Sequence, residues 1–435
     1  MAAKLKSRIA LELLQQFESR NITFIDSDGA WPIVWDRARG VHVWDAEGKR
    51  YLDLSAAFGV AATGHANPRV VRAGSDQMKR LLHAMGDVHP HRLKGELARE
   101  LSLLTFERWT SRRVTGKTVF CNSGFEAVET ALKTATLVTG KPGVIAFGGG
   151  YHGLGYGALN VTHRRYFRDP FESQLRAFGH FVPFPSSAHE HDLSTIESEI
   201  RRIAEAMEIG AILVEPVQGR GGIHVPPLEF LPRLRRLANE LELVLICDEI
   251  FTGFGRTGRW FACEHSATIP DLVCLGKALT GGFPLSACIG RGKLMDEAWP
   301  PATGEAIHTS TFLGHPVGCA MALAQIAEIK GKKLCSRSLT LGRKLKSMLQ
   351  SISAPQGFDV KVRGLGLMAG LELTYRDGSP ATEQALKAIK SMLGRGFILL
   401  PEGEHSNVIS FTPPLVISEK ELQSAVKALR DTLHR

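Results

Sequence analysis

The sequence predicts an α/β protein with a mostly parallel central sheet in a large domain and a smaller α+β domain built from both ends of the chain. Short apolar runs alternate with helical patterns through the middle of the chain, which is typical of parallel strands covered by helices. A hairpin pattern comes before them, and longer helical patterns with few strands follow from about residue 320. We therefore expect an N-terminal segment over 1–65, a large domain over 66–319 and a C-terminal small domain over 320–435 that the N-terminal segment joins.

The N-terminal hairpin is predicted from "VHVWDA" and "RYLDL", because "EGK" supplies a turn between them. Six apolar runs then predict the central strands, at residues 118–121, 143–147, 211–216, 243–250, 272–276 and 285–290. Between the first two runs, Val128, Ala131, Leu132 and Ala135 recur at helical spacing and predict one apolar helix face. The chain ends in an amphipathic helix pattern for which Ser418 is the expected N-cap.

Composition excludes several classes of function. The formal net charge is +9, but the basic residues are dispersed among acidic ones, which favours a solvated surface over a nucleic-acid site. Seven cysteines occur without a CxxC pair or a histidine cluster at ligand spacing, which argues against a disulfide framework or a metal site. The sequence shows neither a signal-peptide pattern nor a membrane-spanning run, so we expect a cytoplasmic protein that does not bind membranes.

Polar residues follow several of the predicted strands. Asn122, Ser123 and Gly124 lead from a strand into a helix, where free backbone N–H groups and the helix dipole favour a phosphate, although such a turn is also common as architecture. Asp248 ends another apolar strand, where open α/β sheets place their ligands, and the alternative is a salt bridge or a loop cap. Glu215 ends a third strand.

Three further residues complete this group at the strand ends. Tyr151 and His152 follow the strand at 143–147, and each alone would more often be a structural residue. Lys277 stands in the apolar, glycine-rich stretch "LVCLGKALTGG", where desolvation lowers the proton affinity of an amine and makes it a nucleophile toward carbonyl groups. An ion-pair partner is the simpler interpretation of one buried lysine. A phosphate-binding turn, an aspartate, a stacking aromatic and a nucleophilic lysine together describe a pyridoxal 5'-phosphate (PLP) site.

The sequence resembles the class III (omega) PLP-dependent aminotransferases over nearly its whole length. The motifs that carry the resemblance are "NSGFEAVETALKTA", "YHG", "VEPVQGRGG", "DEIFTGFGRTG", "LGKALTGGFPLSA", "TSTFLGHPVGCAMALA" and "TPPLVIS". The resemblance implies PLP fold type I, a PLP cofactor, and Lys277 as the Schiff-base lysine that also shuttles a proton. It implies that Asp248 pairs with the pyridine nitrogen of the cofactor.

The same resemblance implies the remaining cofactor contacts. Tyr151 and Ile250 would flank the two faces of the ring, with His152 close by. Ser123, Gly124 and Phe125 would hold the phosphate, and Thr311 would reach the phosphate from a second subunit, which implies a homodimer with shared active sites. Glu215 matches an acidic residue near the substrate.

Two departures from the family pattern bear on the substrate. Phe251 occupies a position where the family often has a glutamine that contacts the phenolic oxygen of the cofactor. Ser410 occupies a position where many members have an arginine that binds a substrate carboxylate, so we expect weak use of 2-oxoglutarate. Phe58 lies where the family lines its substrate channel. With Phe251 it indicates an apolar pocket, although both residues fit an ordinary core equally well.

These features predict an aminotransferase that moves an amino group from a primary amine or ω-amino compound to a keto acid or aldehyde by a ping-pong mechanism. Two alternatives stay open. A PLP-dependent aminomutase or amino-acid racemase would have the same fold, and a non-catalytic dimeric binding protein would have lost the chemistry.

Overall fold

The structure, a computed structural model, describes residues 5–26, 31–185 and 192–434. The three domain ranges expected from the sequence include some residues that lie outside the described ones, namely 1–4, 27–30, 186–191 and 435. Within the described ranges the strands are β1 (Trp35–Arg39), β2 (His42–Asp45), β3 (Arg50–Asp53), β4 (Gly116–Cys121), β5 (Gly143–Phe147), β6 (Gly179–Val182), β7 (Ile209–Val214), β8 (Val244–Asp248), β9 (Leu272–Leu275), β10 (Ser286–Arg291), β11 (Phe358–Gly364), β12 (Ala369–Tyr375), β13 (Phe397–Ile398), β14 (Leu400–Glu402) and β15 (Val408–Phe411).

The helices of the described chain are α1 (Leu5–Phe17), α2 (Ala56–Gly59), α3 (Pro68–Arg80), α4 (Arg92–Leu104), α5 (Phe106–Trp109), α6 (Gly124–Thr139), α7 (Tyr156–Asn160), α8 (Arg165–Arg168), α9 (Leu193–Ala206), α10 (Phe230–Glu240), α11 (Gly292–Ala298), α12 (Pro316–Gly331), α13 (Leu334–Gln350), α14 (Thr382–Gly394) and α15 (Glu419–Leu433). Short 3-10 helices cover Asp169–Gln174, Ala262–Ser266 and Lys277–Leu279. No described helix is long and apolar enough to span a bilayer.

The central sheet has seven strands among the described residues, in the order β4-β10-β9-β8-β7-β5-β6. The run from β9 to β6 is parallel, and β10 is antiparallel to both β4 and β9. The sheet is thus mostly parallel, as predicted, and all six predicted strands are present to within two residues at each end. Because β4 and the parallel strands point the same way, their C-terminal ends share one edge of the sheet, where ligands of such sheets bind.

Both faces of the central sheet are covered, which explains why its strands are continuous apolar runs. On β5, Ile145 and Phe147 pack into one core cluster, and Val144 and Ala146 pack into the cluster on the opposite face. The apolar face of α6 belongs to the second cluster, as the helical spacing of its apolar residues predicted.

Capping residues fix the ends of two helices that matter here. Glu126 in the first turn of α6 accepts the backbone N–H groups of Asn122 and Ser123, at 2.6 and 3.2 Å, so the chain enters the helix directly from β4. At the start of α15, Ser418 Oγ accepts the N–H of Glu421 at 3.2 Å, and the Glu421 carboxylate accepts the N–H of Ser418 at 2.7 Å. This capping box confirms Ser418 as the N-cap.

The two ends of the chain meet outside the central sheet. β2 and β3 form the predicted antiparallel hairpin, and β13 from the C-terminal region pairs in parallel with β3. A further sheet has the order β11-β12-β15-β14. The smaller α+β part is therefore built from both termini, while its exact limits near residues 65 and 319 stay predictions.

Candidate active site

A cleft of about 350 Å³ lies at the edge of the central sheet where β4, β5, β7, β8 and β9 end. Its described lining consists of Gly124, Phe125, Tyr151, His152, Gly153, Leu154, Glu215, Arg220, Asp248, Ile250, Phe251 and Lys277. The structure thus brings together most of the site residues that the sequence predicted. Ser123 immediately precedes this lining, whereas Phe58, Thr311 and Ser410 do not line the cleft.

Lys277 lies two residues beyond the end of β9, and its amine faces the cleft. Its φ of +42° is in the left-handed region, a conformation that the surrounding structure must hold for a residue with a long side chain. Burial lowers the pKa of Lys277 from 10.5 to about 8, and the charges of Asp248 and Glu215 oppose this effect. The amine is therefore neutral in a substantial fraction of molecules near physiological pH.

Asp248 is held by two hydrogen bonds at the end of β8. Its Oδ2 lies 2.7 Å from Nδ1 of His152, and its Oδ1 accepts the N–H of Ile250 at 3.1 Å. The backbone N–H of His152 is in turn tied to Thr162 Oγ1 at 3.0 Å. Both side chains of the pair are almost fully buried, so the carboxylate has a fixed direction in a medium of low dielectric constant.

Glu215 is satisfied by backbone groups rather than by a cation. One carboxylate oxygen accepts the N–H of Tyr151 at 2.9 Å, and the other accepts the N–H of Gly219 at 3.0 Å. Burial raises the pKa of Glu215. The residue therefore fixes the two loops that follow β5 and β7 on either side of the cleft.

One end of the cleft is formed by the turn between β4 and α6. Ser123 Oγ is buried and has no hydrogen-bond partner, while its backbone carbonyl accepts the Ser286 hydroxyl at 2.5 Å. A Cβ atom on Gly124 would lie 3.2 Å from the Ile250 side chain, so glycine keeps this end of the cleft open. An unpaired hydroxyl beside the free N–H groups of a helix start is chemically suited to a phosphate.

Phe251 lies against the Lys277 amine, whose Nζ is 3.8 Å from the ring centroid. The ring is tightly enclosed, because a Cβ atom on Gly59 or on Gly219 would come within 2.5 or 2.2 Å of it. An aromatic face next to an amine stabilises its cationic form but offers no hydrogen bond. Phe251 thus both lines the cleft and packs tightly.

Three predicted residues lie elsewhere. Phe58 is 59% exposed in α2, where Ala56, Ala57 and Phe58 all have positive φ. Thr311 is exposed in the segment after α11, and Ser410 is buried in β15. What these residues do stays a prediction.

Sequence reasoning missed Arg220, which lines the cleft, and Glu402, which lies behind it. The Arg220 guanidinium lies 4.9 Å from the Tyr151 ring centroid, and its Nε is 3.9 Å from a carboxylate oxygen of Glu402. Arg220 belongs to "VEPVQGRGG", the motif that follows a predicted strand, so its position in the sequence could have indicated that it lies at the cleft. Glu402 comes from β14, and nothing in the sequence indicated that it lies nearby.

Glu249, which follows Asp248, is not part of the cleft. Its buried carboxylate accepts the N–H groups of Ala262 and Cys263, at 2.9 and 2.8 Å, and the hydroxyl of Thr252. Burial raises its pKa to about 7. Of the two adjacent carboxylates, one faces the cleft and the other holds the loop that follows.

Comparisons with known proteins identify the family. The class-III aminotransferase family model matches residues 25–433. The chain belongs to this family. A 5-aminovalerate aminotransferase of Pseudomonas aeruginosa is 36% identical over 414 residues, which cover 92% of this chain and 93% of that protein. An acetylornithine aminotransferase of Methanopyrus kandleri is 38% identical over 403 residues, with 93% and 95% covered.

A solved structure leads to the same conclusion. An amine transaminase from an uncultivated Pseudomonas species, in its PLP-bound form, is similar with a TM-score of 0.84 at 28% identity, covering 96% of this chain and 98% of that one. The protein is therefore a PLP-dependent transaminase of fold type I. This confirms the predicted family, fold, enzyme class and cofactor, and these relatives give no support to an isomerase or a non-catalytic binding protein.

Proposed function

We propose that Lys277 binds the cofactor covalently and carries the proton during amino transfer, and that Asp248 pairs with the pyridine nitrogen. When bound, PLP supplies a ring that takes up the electrons released as the substrate C–H bond breaks. A lysine with a pKa of about 8 both gives up and regains a proton readily near neutral pH. The Asp248 carboxylate, held by His152 and by the N–H of Ile250, supplies the negative charge that keeps the pyridine nitrogen protonated.

The other cleft residues orient the cofactor in this proposal. The unpaired Ser123 hydroxyl and the backbone of Gly124 and Phe125 bind its phosphate. Tyr151 and Ile250, both in the cleft lining, flank the ring on its two faces. Glu215 positions the backbone of Tyr151, so its effect on the ring is indirect.

We propose a primary amine or an ω-amino compound as donor and a keto acid or aldehyde as acceptor. The names of the relatives support this class, since 5-aminovalerate and acetylornithine each carry both an amine and a carboxylate. The apolar Phe251 and Leu154 in the cleft lining suit the methylene chain of such a donor.

The observation that carries the proposed function is the desolvated Lys277 amine facing a cleft that also contains a fixed, buried carboxylate. The test is a half-reaction, in which holoenzyme is mixed with one donor and no acceptor while the absorbance of bound PLP is followed. An aminotransferase converts one equivalent of donor and stops, and pyruvate then restores the original spectrum. Repeated turnover without acceptor would indicate an isomerase, and no spectral change with any amine would contradict the proposal. Lys277→Ala is the control.

We also propose that the enzyme is a homodimer in which Thr311 binds the cofactor phosphate of the partner subunit. Thr311 is exposed and does not line the cleft of its own chain. The surrounding segment exposes Ile307 to 77% and Phe312 to 54%. Apolar side chains this exposed in one segment are typical of an interface.

Mixing two inactive variants tests the shared site. Lys277→Ala removes the lysine from one chain, and Thr311→Glu places a repelling charge beside the phosphate in the other. A heterodimer regains one complete site, so random exchange restores roughly a quarter of the wild-type activity if a two-fold dimer forms. A mixture as inactive as its components would contradict the shared site, and so would an active Thr311→Glu homodimer.

A cytoplasmic location is supported by the cysteines. Cys121, Cys247, Cys263, Cys274, Cys288, Cys319 and Cys335 are all free thiols. Seven unpaired cysteines suit a reducing compartment. Cell fractionation tests this part of the proposal, and recovery of the activity only from an oxidising compartment would contradict it.

A further inference from the structure

Arg220 is the one guanidinium among the described residues that line the cleft, and its side chain is 40% exposed there. One side of the guanidinium packs on the Tyr151 ring, with the central carbon 4.9 Å from the centroid. Its Nε is buried and has no hydrogen-bond partner. The guanidinium thus has one unsatisfied donor, Nε, and its exposed part faces the cleft.

The ion pair behind Arg220 is a weak one. Glu402 lies 3.9 Å from Arg220 Nε, a distance too long for a hydrogen bond. Burial raises the pKa of Glu402 to about 7 even though Arg220, Lys277 and Arg164 favour its charged form. At neutral pH a substantial fraction of Glu402 is therefore protonated, and the guanidinium is only partly neutralised.

The other charged groups near Arg220 include a second guanidinium and the carboxylates of Glu215, Glu402 and Glu404. Arg164 donates from Nη2 to the carbonyl oxygen of Arg220 at 3.0 Å, so a second guanidinium adjoins the same loop. Glu215 lies five residues earlier, but its two oxygens already accept N–H groups from Tyr151 and Gly219. A negative group that enters the cleft beside Lys277 thus meets the guanidinium of Arg220, with that of Arg164 against the same loop.

We infer that Arg220 is a specificity-determining residue that binds a carboxylate of the substrate. In the free enzyme its counter-ion is Glu402, and the substrate carboxylate takes the place of Glu402 when it binds. This inference rests on the proposed function and narrows its substrate class to amines and carbonyl compounds that carry a carboxylate. A guanidinium binds a carboxylate through two parallel hydrogen bonds, which is a geometry that a lysine does not reproduce. The structure thus offers a carboxylate anchor at residue 220, although residue 410 is serine.

Two donors of equal length separate this role from a structural one. We would measure the half-reaction of holoenzyme with 5-aminovalerate and with n-pentylamine, which differ in the terminal carboxylate. Arg220→Gln is expected to lower kcat/KM for 5-aminovalerate about 10- to 100-fold, as the loss of hydrogen bonds to a charged group does, with n-pentylamine changed less than about twofold. Arg220→Lys is expected to retain an intermediate preference, and Arg376→Gln, which changes an exposed arginine outside the cleft, to behave as wild type.

Binding of an unreactive carboxylate gives a second readout. Calorimetry of holoenzyme with valerate is expected to show binding that Arg220→Gln abolishes and Glu402→Gln strengthens several-fold. An equal loss with both donors in both Arg220 variants, an unchanged preference for 5-aminovalerate, or valerate binding that ignores Arg220 would overturn the inference. In each of these cases wild-type enzyme still reacts with n-pentylamine, whereas failure of the proposed function itself removes that reaction as well.

Discussion

The reactivity of Lys277 can be measured directly from its dependence on pH. An amine with a pKa of about 8 is neutral in about one molecule in ten at pH 7, and one with a pKa of 10.5 in about one in three thousand. At pH 7 burial thus increases the neutral, nucleophilic form about 300-fold. Because burial is the largest cause and the carboxylates of Asp248 and Glu215 oppose it, removing either charge is expected to lower the pKa further.

The assay is reductive methylation of apoenzyme with formaldehyde and an amine–borane as hydride donor between pH 6 and 11, with each lysine quantified by peptide mass spectrometry. Labelling of Lys277 is expected to rise about tenfold per pH unit up to about pH 8 and then to level off. Lys420, exposed on α15, is labelled in the same sample and serves as the solvent-exposed reference lysine. A Lys277 profile that continues to rise toward pH 10.5 would refute the reasoning, because it would show that the cleft does not desolvate the amine.

Three further predictions concern other residues of the site and the fold. Asp248→Asn keeps the shape of the side chain but removes its charge, so the half-reaction is expected to slow about 10²- to 10⁴-fold in stopped-flow absorbance, and a near-normal rate would contradict the pyridine pairing. Glu249 binds a proton more tightly when folded, since its pKa rises from 4.5 to about 7; the stability it contributes is complete below pH 4.5 and is lost as pH rises through 7. Denaturant titrations from pH 4 to 8 are expected to show that loss in wild type and a flatter profile in Glu249→Gln, and parallel profiles would exclude this cause. Pyruvate is expected to exceed 2-oxoglutarate about tenfold or more as acceptor, because Arg220 is the one guanidinium among the described cleft-lining residues and can pair with only one of the two carboxylates of 2-oxoglutarate; comparable kcat/KM values would refute this.

The fold was predictable where strands are buried on both faces. β5, β7 and β9 contain no charged or polar side chain, and β8 contains none before Asp248, so these apolar runs are readily recognised in a sequence. Two strands before residue 320 were not predicted, and beyond that residue the sequence indicated a few strands without their limits. β1 ("WDRAR") is mostly exposed and charged, and β6 ("GHFV") is a short edge strand whose first three residues are only partly buried. An edge strand forms because it pairs with a neighbouring strand, more than because of the pattern of apolar residues in its own sequence.

The site was predictable as far as it consists of residues that follow strands. Asp248 is the last residue of β8, Glu215 directly follows β7 and Lys277 lies two residues beyond β9, so the direction of the sheet alone brings them to one edge. Arg220 lies five residues beyond Glu215, in a loop whose course depends on the N–H groups of Tyr151 and Gly219 donating to the Glu215 carboxylate. Glu402 comes from a separate sheet, and the positive φ of Phe58 reflects a turn held by Asp53, whose carboxylate accepts the N–H groups of Ser55 and Ala57. Such long-range arrangements leave no local pattern.

The central claim is that the amine of Lys277 holds the cofactor. Treating holoenzyme with sodium borohydride and mapping its peptides by mass spectrometry tests this claim most directly. The expected result is loss of the yellow colour and activity together, with a reduced pyridoxyl group on the peptide that contains Lys277 and on no other lysine. A pyridoxyl group on a different lysine, or an enzyme that stays active after complete reduction, would contradict it.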